Sequence, residues 1–280
     1  MSTMRIALSG RVSAAAVVCL AGLMWSVPAS AQYAPVSSGL ALGEEYNIEA
    51  AAGWWNPTPG LIISSESLGI PGDDIDLVTD LGVGQKRIGE LRFVLRPATK
   101  HKFRLNYLPL KYSAEAVVQR EFVFNGQRYR LGLPVNTEAD LTTWRFGYEY
   151  DFLYRDRGYL GVLLDVKYTN VDVSLASPIG EEFTSQVAPI PTIGIVGRGY
   201  VVENVSITGE VSFFKVPENL AEQLNGEGRY LDYDFYGTFN FNRYVGAQLG
   251  LRSIDVHYRK DLDAGELSFT GWYFGAVVRY

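Results

Sequence analysis

The side chains able to do chemistry are few in this sequence. There are two histidines, His101 and His257, and one cysteine, Cys19. In "SIDVHYRKD" His257 has Asp255 and Asp261 close in sequence, and a histidine beside a carboxylate can activate a water molecule for hydrolysis. His101 sits between Lys100 and Lys102 with no evident partner. No serine falls into step with either histidine, so a serine hydrolase is not indicated. Asp73, Asp74, Asp76 and Asp80 could offer oxygen ligands to a hard cation, but their spacing is not that of an EF-hand loop, and an acidic loop in solvent is the simpler expectation. "LGVGQK" lacks the spacing of a phosphate loop. The largest set of chemical groups is different in kind. It consists of acids and bases at every second position, facing away from apolar residues.

The elements that carry those charges are long alternating segments. From Thr142 to Phe152, Trp144, Phe146, Tyr148, Tyr150 and Phe152 take one face, and Thr143, Arg145, Gly147, Glu149 and Asp151 the other. Period two is the signature of a strand with two unlike faces. It recurs in ten segments: 45–55, 86–96, 101–117, 139–153, 159–175, 183–201, 204–216, 229–242, 244–259 and 266–280. At roughly 11–19 residues they exceed the usual soluble strand of about 5–6 and suit a bilayer crossing of about 9–11 residues with some to spare. Connections alternate between tight ("PATK", "YRDRG", "VVEN", "NRY") and longer (56–85, 118–138, 217–228, with shorter ones near 177–182 and 260–265). Short turns at one end and loops at the other describe an up-and-down transmembrane β-barrel. In the second long connection, Asn125-Gly126 predicts a hairpin, with Phe122, Phe124 and Tyr129 available either to a partner or for packing on neighbouring loops. "PENLAEQLNG" predicts a short helical turn.

If apolar faces meet lipid, the polar faces line a lumen. Inward acids are then Glu45, Glu49, Glu90, Glu149, Asp151, Asp165, Glu210, Asp232 and Asp234. Inward bases are Arg92, Arg96, Lys102, Arg104, Arg145, Lys167, Arg198, Arg252 and Arg279. Charges in a narrow lumen must be paired, and ten strands leave little more room than the eight whose side chains fill a barrel. A plugged or very narrow lumen is expected, with a selective channel or binding cavity as the alternative.

The ends of the chain agree. Residues 1–31 have Arg5 and Arg11, an apolar run too short to span a bilayer, and Ala29-Ser30-Ala31, which is the plan of a cleaved signal peptide. This gives a leader over 1–31, a periplasmic lead-in over 32–43 and a barrel domain over 44–280. The leader holds two of the 25 basic residues and none of the 31 acidic ones, so the formal net charge of −6 becomes −8. That argues against nucleic-acid binding, which relies on a basic footprint. Without Cys19 the exported chain has no thiol for a disulfide, nucleophile or metal. No cofactor is called for.

Signal, alternating segments and the closing "WYFGAVVRY" together resemble the broad class of small bacterial outer-membrane β-barrel proteins. The resemblance implies an outer-membrane location with both termini periplasmic. It also implies partners in outer-membrane lipid and in the barrel-insertion machinery, which would read Trp272, Phe274 and the terminal Tyr280. The class holds adhesins, channels, proteases and lipid-modifying enzymes. Omptin-type proteases are similar in strand number and in a rim histidine. The expected role is structural and non-enzymatic, with outer loops contacting a surface glycan or protein. A narrow channel is the alternative, and a hydrolase using His257 a more remote one.

Overall fold

The computed structural model describes residues 41–65, 72–217, 221, 226–260 and 263–280, with nothing taken from the side chain of Lys260. The leader and most of the lead-in lie outside them. So does the expected helical turn, apart from Pro217, Gly226 and Ala221, whose N–H donates to the Pro217 carbonyl. The strands are β1 (Ile48–Ser64), β2 (Ile75–Asp76), β3 (Ile88–Ala98), β4 (His101–Val117), β5 (Phe122–Phe124), β6 (Gln127–Tyr129) and β7 (Pro134–Arg155). They continue with β8 (Gly158–Ser177), β9 (Gly180–Val202), β10 (Val205–Lys215), β11 (Gly226–Asn240), β12 (Val245–Lys260) and β13 (Asp263–Arg279). Ten long strands, in the order β13-β12-β11-β10-β9-β8-β7-β4-β3-β1, pair antiparallel. β13 then pairs with β1 from Glu49↔Arg279 to Ser64↔Ala264 and closes an all-β barrel. Closure pairs the first and last strands, so neither presents a free sheet edge to a bilayer, where an unpaired N–H has no water to bond.

One end of the barrel carries tight turns at 99–100, 156–157, 203–204 and 241–244, and the other carries the loops. β1 is longer than its sequence suggests, because Pro57 and Pro59 hide its continuation. β3 pairs with β1 only from Ile48 to Trp55, and β2 rejoins it at Ile62 and Ile63. Between those contacts no strand pairs with β1 on that side among the described residues. A residue without an N–H is tolerated in a strand that is locally an edge. The expected loop 56–85 is therefore strand as far as Ser64.

The outer face carries a lipid-facing belt. On β8 it comprises Leu160, Val162, Leu164, Val166 and Tyr168, all exposed. These nine residues of strand match a bilayer crossing. Beyond Tyr168 the same row becomes Asn170, Asp172 and Ser174. The inner row reverses the other way, from Asp165 and Lys167 to buried Val173 and Leu175. β4 repeats this, with Lys102 and Arg104 followed by Leu108, Leu110 and Tyr112 inside. An inner face that is polar throughout is thus corrected. The loop half of the barrel is filled by an apolar cluster above the charged layer. Ile75, Leu77 and Leu81 from the first loop join it, as do Phe122, Phe124 and Tyr129.

The hairpin β5–β6 forms as expected on Asn125 (φ 49°) and Gly126 (φ 80°), the left-handed pair of a type I′ turn. Its aromatic residues are all buried, which decides between the two readings in favour of packing. The hairpin is tied across the mouth: Asn125 N–H donates to Ser65 O, the Asn125 amide to Glu182 Oε2 and Tyr129 Oη to Leu175 O. A β-branched side chain at the Gly126 backbone conformation costs about 1–2 kcal/mol. Gly126→Val is therefore expected to speed protease cleavage between residues 118 and 134 in the folded, detergent-solubilised protein. The barrel itself should stay resistant to SDS without boiling. Unchanged cleavage would show that the turn does not hold the cap.

Candidate functional site

The charged interior is the densest set of functional groups. Alternation turns alternate side chains of β3, β4, β7, β8, β10, β11 and β12 into the lumen. The closed register then brings acids from one strand against bases from its neighbours. One chain of contacts runs Asp165–Arg145–Glu210–Arg104–Glu149–Lys102–Asp151, with N···O distances of 2.6, 2.5, 2.7, 3.1, 2.6 and 2.9 Å. A second runs Lys167–Asp232–Arg252–Glu90–Arg92–Asp234 at 2.9, 3.0, 2.6, 3.0 and 3.1 Å. At the turn end Arg96 and Arg198 hold Glu44, and Arg279 holds Glu49 at 2.5 Å. Nine acids face nine bases in these contacts. The twelve residues Glu90, Arg92, Arg96, Arg145, Glu149, Asp151, Asp165, Lys167, Glu210, Asp232, Asp234 and Arg252 all fall in this network.

Tyrosines solvate several of the cations. Lys102 Nζ lies 3.4 Å from the Tyr159 ring centre, Lys167 Nζ 4.2 Å from that of Tyr230, and the Arg92 guanidinium 4.6 Å from that of Tyr273. In a space closed to water, π faces and paired carboxylates replace hydration. Glycine supplies the room: a Cβ on Gly161 would lie 2.7 Å from Asp151 Oδ1. The arrangement compensates charge and fixes strand positions.

One partner was not legible in the sequence. Glu44, not Glu45, enters the lumen; Glu45 is half-buried and forms no ion pair among the described residues. Ala41–Asn47 crosses the turn end, with Ala41 N–H on Asp156 O, Leu42 N–H on Glu203 O and Asn47 N–H on Tyr280 O. Glu44 lies below it between Arg96, Arg198 and the Tyr200 hydroxyl, which donates to Oε1 at 3.2 Å. Glu44 precedes every alternating stretch, so periodicity gave no signal for it.

The other candidates are arranged differently. The outward row of β12 runs through Leu251, Ser253, Asp255 and His257, and near Ser253 only the chemistry of each face changes. His257 is directed out of the wall, with Nδ1 3.2 Å from Oε1 of its cross-strand neighbour Glu266. These two, Arg229, Asp255 and Ser268 border an open groove of about 320 Å³. Asp261 lies outside the described residues. His101 Nδ1 is 2.6 Å from the Tyr148 hydroxyl on the outer face near the turn end. In the first loop, Asp73 accepts from Val123 N–H, Asp76 from Val78 and Thr79 N–H, and Asp80 from Asp76 N–H and Arg120. Asp74 contributes its carbonyl to Arg120. Among the described residues no three His, Cys, Asp or Glu side chains are grouped to hold a metal. Trp272 and Phe274 on β13 and Tyr280 just after it all face outward, while Gly271, Tyr273, Val277 and Arg279 face in.

No protein-family model matches the chain. No curated protein matches it either. Among solved structures, the outer membrane protease OmpT from Escherichia coli is similar over 84% of this chain and 97% of its own, with a TM-score of 0.51 and 9% identity. Ail, the attachment invasion locus protein of Yersinia pestis, is 11% identical over 84% of this chain and 99% of its own, with a TM-score of 0.38. The translocator domain of autotransporter NalP from Neisseria meningitidis is 7% identical over 96% and 98%, with a TM-score of 0.40. At these identities the likeness is one of fold. The chain is a small β-barrel of the outer-membrane type.

Proposed function

We propose that this chain spans the bacterial outer membrane as a closed, non-enzymatic barrel and works through its loop end, where it contacts surface glycans or proteins. The turn end, with Ala41 and Tyr280, then faces the periplasm. The filling of the lumen along its whole length carries this reading. Ala41–Asn47 crosses one end, the paired charges occupy the middle, and the cluster of Trp55, Phe122, Phe124 and Tyr129 closes the other. A diffusion channel needs a continuous file of water, and inward side chains at each of these levels are buried. Apart from β3 and β10, the long strands continue past the lipid belt, which lifts a polar-faced wall and a capped mouth above the membrane. That wall is the part of the molecule a partner outside the cell can reach.

Single-channel recording of the purified protein in a planar bilayer tests the proposal. The expected result is no steady conductance above that of the bare bilayer. Stable ohmic steps would overturn it and establish the narrow channel instead.

A further inference from the structure

β9 outruns one of its two neighbours. It pairs with β8 from Gly158↔Gly199 to Ser177↔Gly180. On the other side β10 pairs with it only from Val205↔Val202 to Phe213↔Ile193. Residues 180–192 therefore have one edge without a strand beside it among the described residues. The direction of the backbone groups follows from one contact. Tyr200 N–H donates to Arg157 O on the β8 side, and the β8–β9 ladder has no bulge from Gly199 to Gly180. Successive residues of a strand point their N–H and C=O to opposite edges. Even-numbered residues of β9 thus face β8, and odd-numbered ones face the open edge.

The odd positions differ in kind. Pro191 and Pro189, next after the last β10 pairing, have no N–H to offer. Val187, Ser185, Phe183 and Glu181 follow, each with a donor and an acceptor turned outward. No backbone hydrogen bond reaches these four from outside the β8 ladder among the described residues. Phe183, at 69% exposure, and Val187, at 52%, stand bare on the outer face. An unpaired strand edge is a template for another strand, and proline is a common means of blunting one. Here proline blunts the part nearest the barrel wall and leaves the outermost part open.

We infer that the Gly180–Val187 edge of β9 binds an extended segment of a partner protein, which adds as a further strand. The segment enters from the loop side of the membrane. It carries apolar side chains opposite Phe183 and Val187 and a basic one near Glu181 and Glu182, the only charges on this stretch. A second copy of this chain does not fit. Antiparallel self-pairing needs a two-fold axis perpendicular to the sheet, which lies in the membrane plane and turns the second barrel upside down. Parallel self-pairing sets Glu181 and Glu182 of the two copies side by side, and like charges there are destabilising. This inference rests on the reading of the loop end as the working surface and names its partner class.

Amide hydrogen exchange on the full barrel in detergent micelles tests it. In the protein alone, Phe183, Ser185 and Val187 should exchange fast while Thr184 and Gln186 are protected by β8. The probe is a nine-residue peptide of alternating valine and threonine with a lysine at each end. It should slow the three odd amides about tenfold or more. The same peptide N-methylated at alternate residues should not, and Ser185→Pro should abolish the effect while the barrel keeps its SDS resistance. Odd amides already protected without peptide would overturn the inference. So would absent protection, or protection that survives N-methylation. Protection that rises with barrel concentration alone would assign the edge to a second copy and also overturn it. Steady conductance in the bilayer would remove the closed-barrel proposal and leave this exchange pattern as an independent result.

Discussion

Asp232→Ala is expected to destabilise the folded barrel by about 3–5 kcal/mol, the cost of removing one partner from a buried ion pair. Asp232 lies 2.9 Å from Lys167 Nζ and 3.0 Å from Arg252 Nη2. Arg252 retains Glu90 at 2.6 Å after the substitution. Among the described residues Lys167 keeps only the Ser212 hydroxyl and the Tyr230 ring, so its ammonium becomes a buried charge with no counter-charge there. Removing that charge as well, in Asp232→Ala with Lys167→Met, should restore part of the loss. Lys111→Ala is the control, because the Lys111–Asp140 pair is on the surface and is worth below about 1 kcal/mol. Urea unfolding in detergent micelles, followed by the SDS-gel shift of the unboiled protein, measures all three. An Asp232→Ala variant as stable as Lys111→Ala would show that the lumen is wet and the network screened.

The second large effect should come from one member of a tryptophan pair and not the other. Trp55 is fully buried, donates from Nε1 to Gly271 O at 2.9 Å, and has the Arg252 guanidinium 5.7 Å from its ring centre. It sits where the charged layer meets the apolar cap. Trp55→Ala opens a cavity at that boundary and is expected to cost about 3–5 kcal/mol. Trp54, one residue earlier, faces lipid at 53% exposure and packs on Phe274. Trp54→Ala leaves no interior cavity and should cost clearly less. Thermal unfolding followed by the strand signal in far-ultraviolet circular dichroism separates them. Equal losses would contradict the placement of Trp55 inside.

The sequence placed the barrel charges well because alternation assigns a face without knowing the register. Lys102, Arg145, Asp165, Glu210 and Arg252 each oppose apolar neighbours within a clean period-two run, so their common inward direction was readable. Which acid meets which base was not. Arg252 touches Glu90, 162 residues away, through barrel closure, and no local pattern encodes that. His257 and Glu266 are joined only by the β12–β13 register.

Two features were hidden for a different reason. Pro57 and Pro59 look like a loop, yet they lie in β1 where no strand pairs with it on one side among the described residues. The change in chemistry at Ser253–Ile254 looks like the end of a pattern, yet the strand continues and only its surroundings change. Below that level the outer face meets lipid and the inner face meets paired charges. Above it the outer face meets water and the inner face meets the apolar cap.

What the sequence determined by itself was the class of fold and the two-faced character of each strand, because both follow from the period of a pleated backbone. Only the tertiary structure decided that the lumen is filled, that Glu44 closes its turn end, that Phe122, Phe124 and Tyr129 face inward, and that β9 keeps an open edge. Each of these depends on contacts between residues distant in the chain. Those contacts are set by closure of the barrel and the unequal heights of its strands.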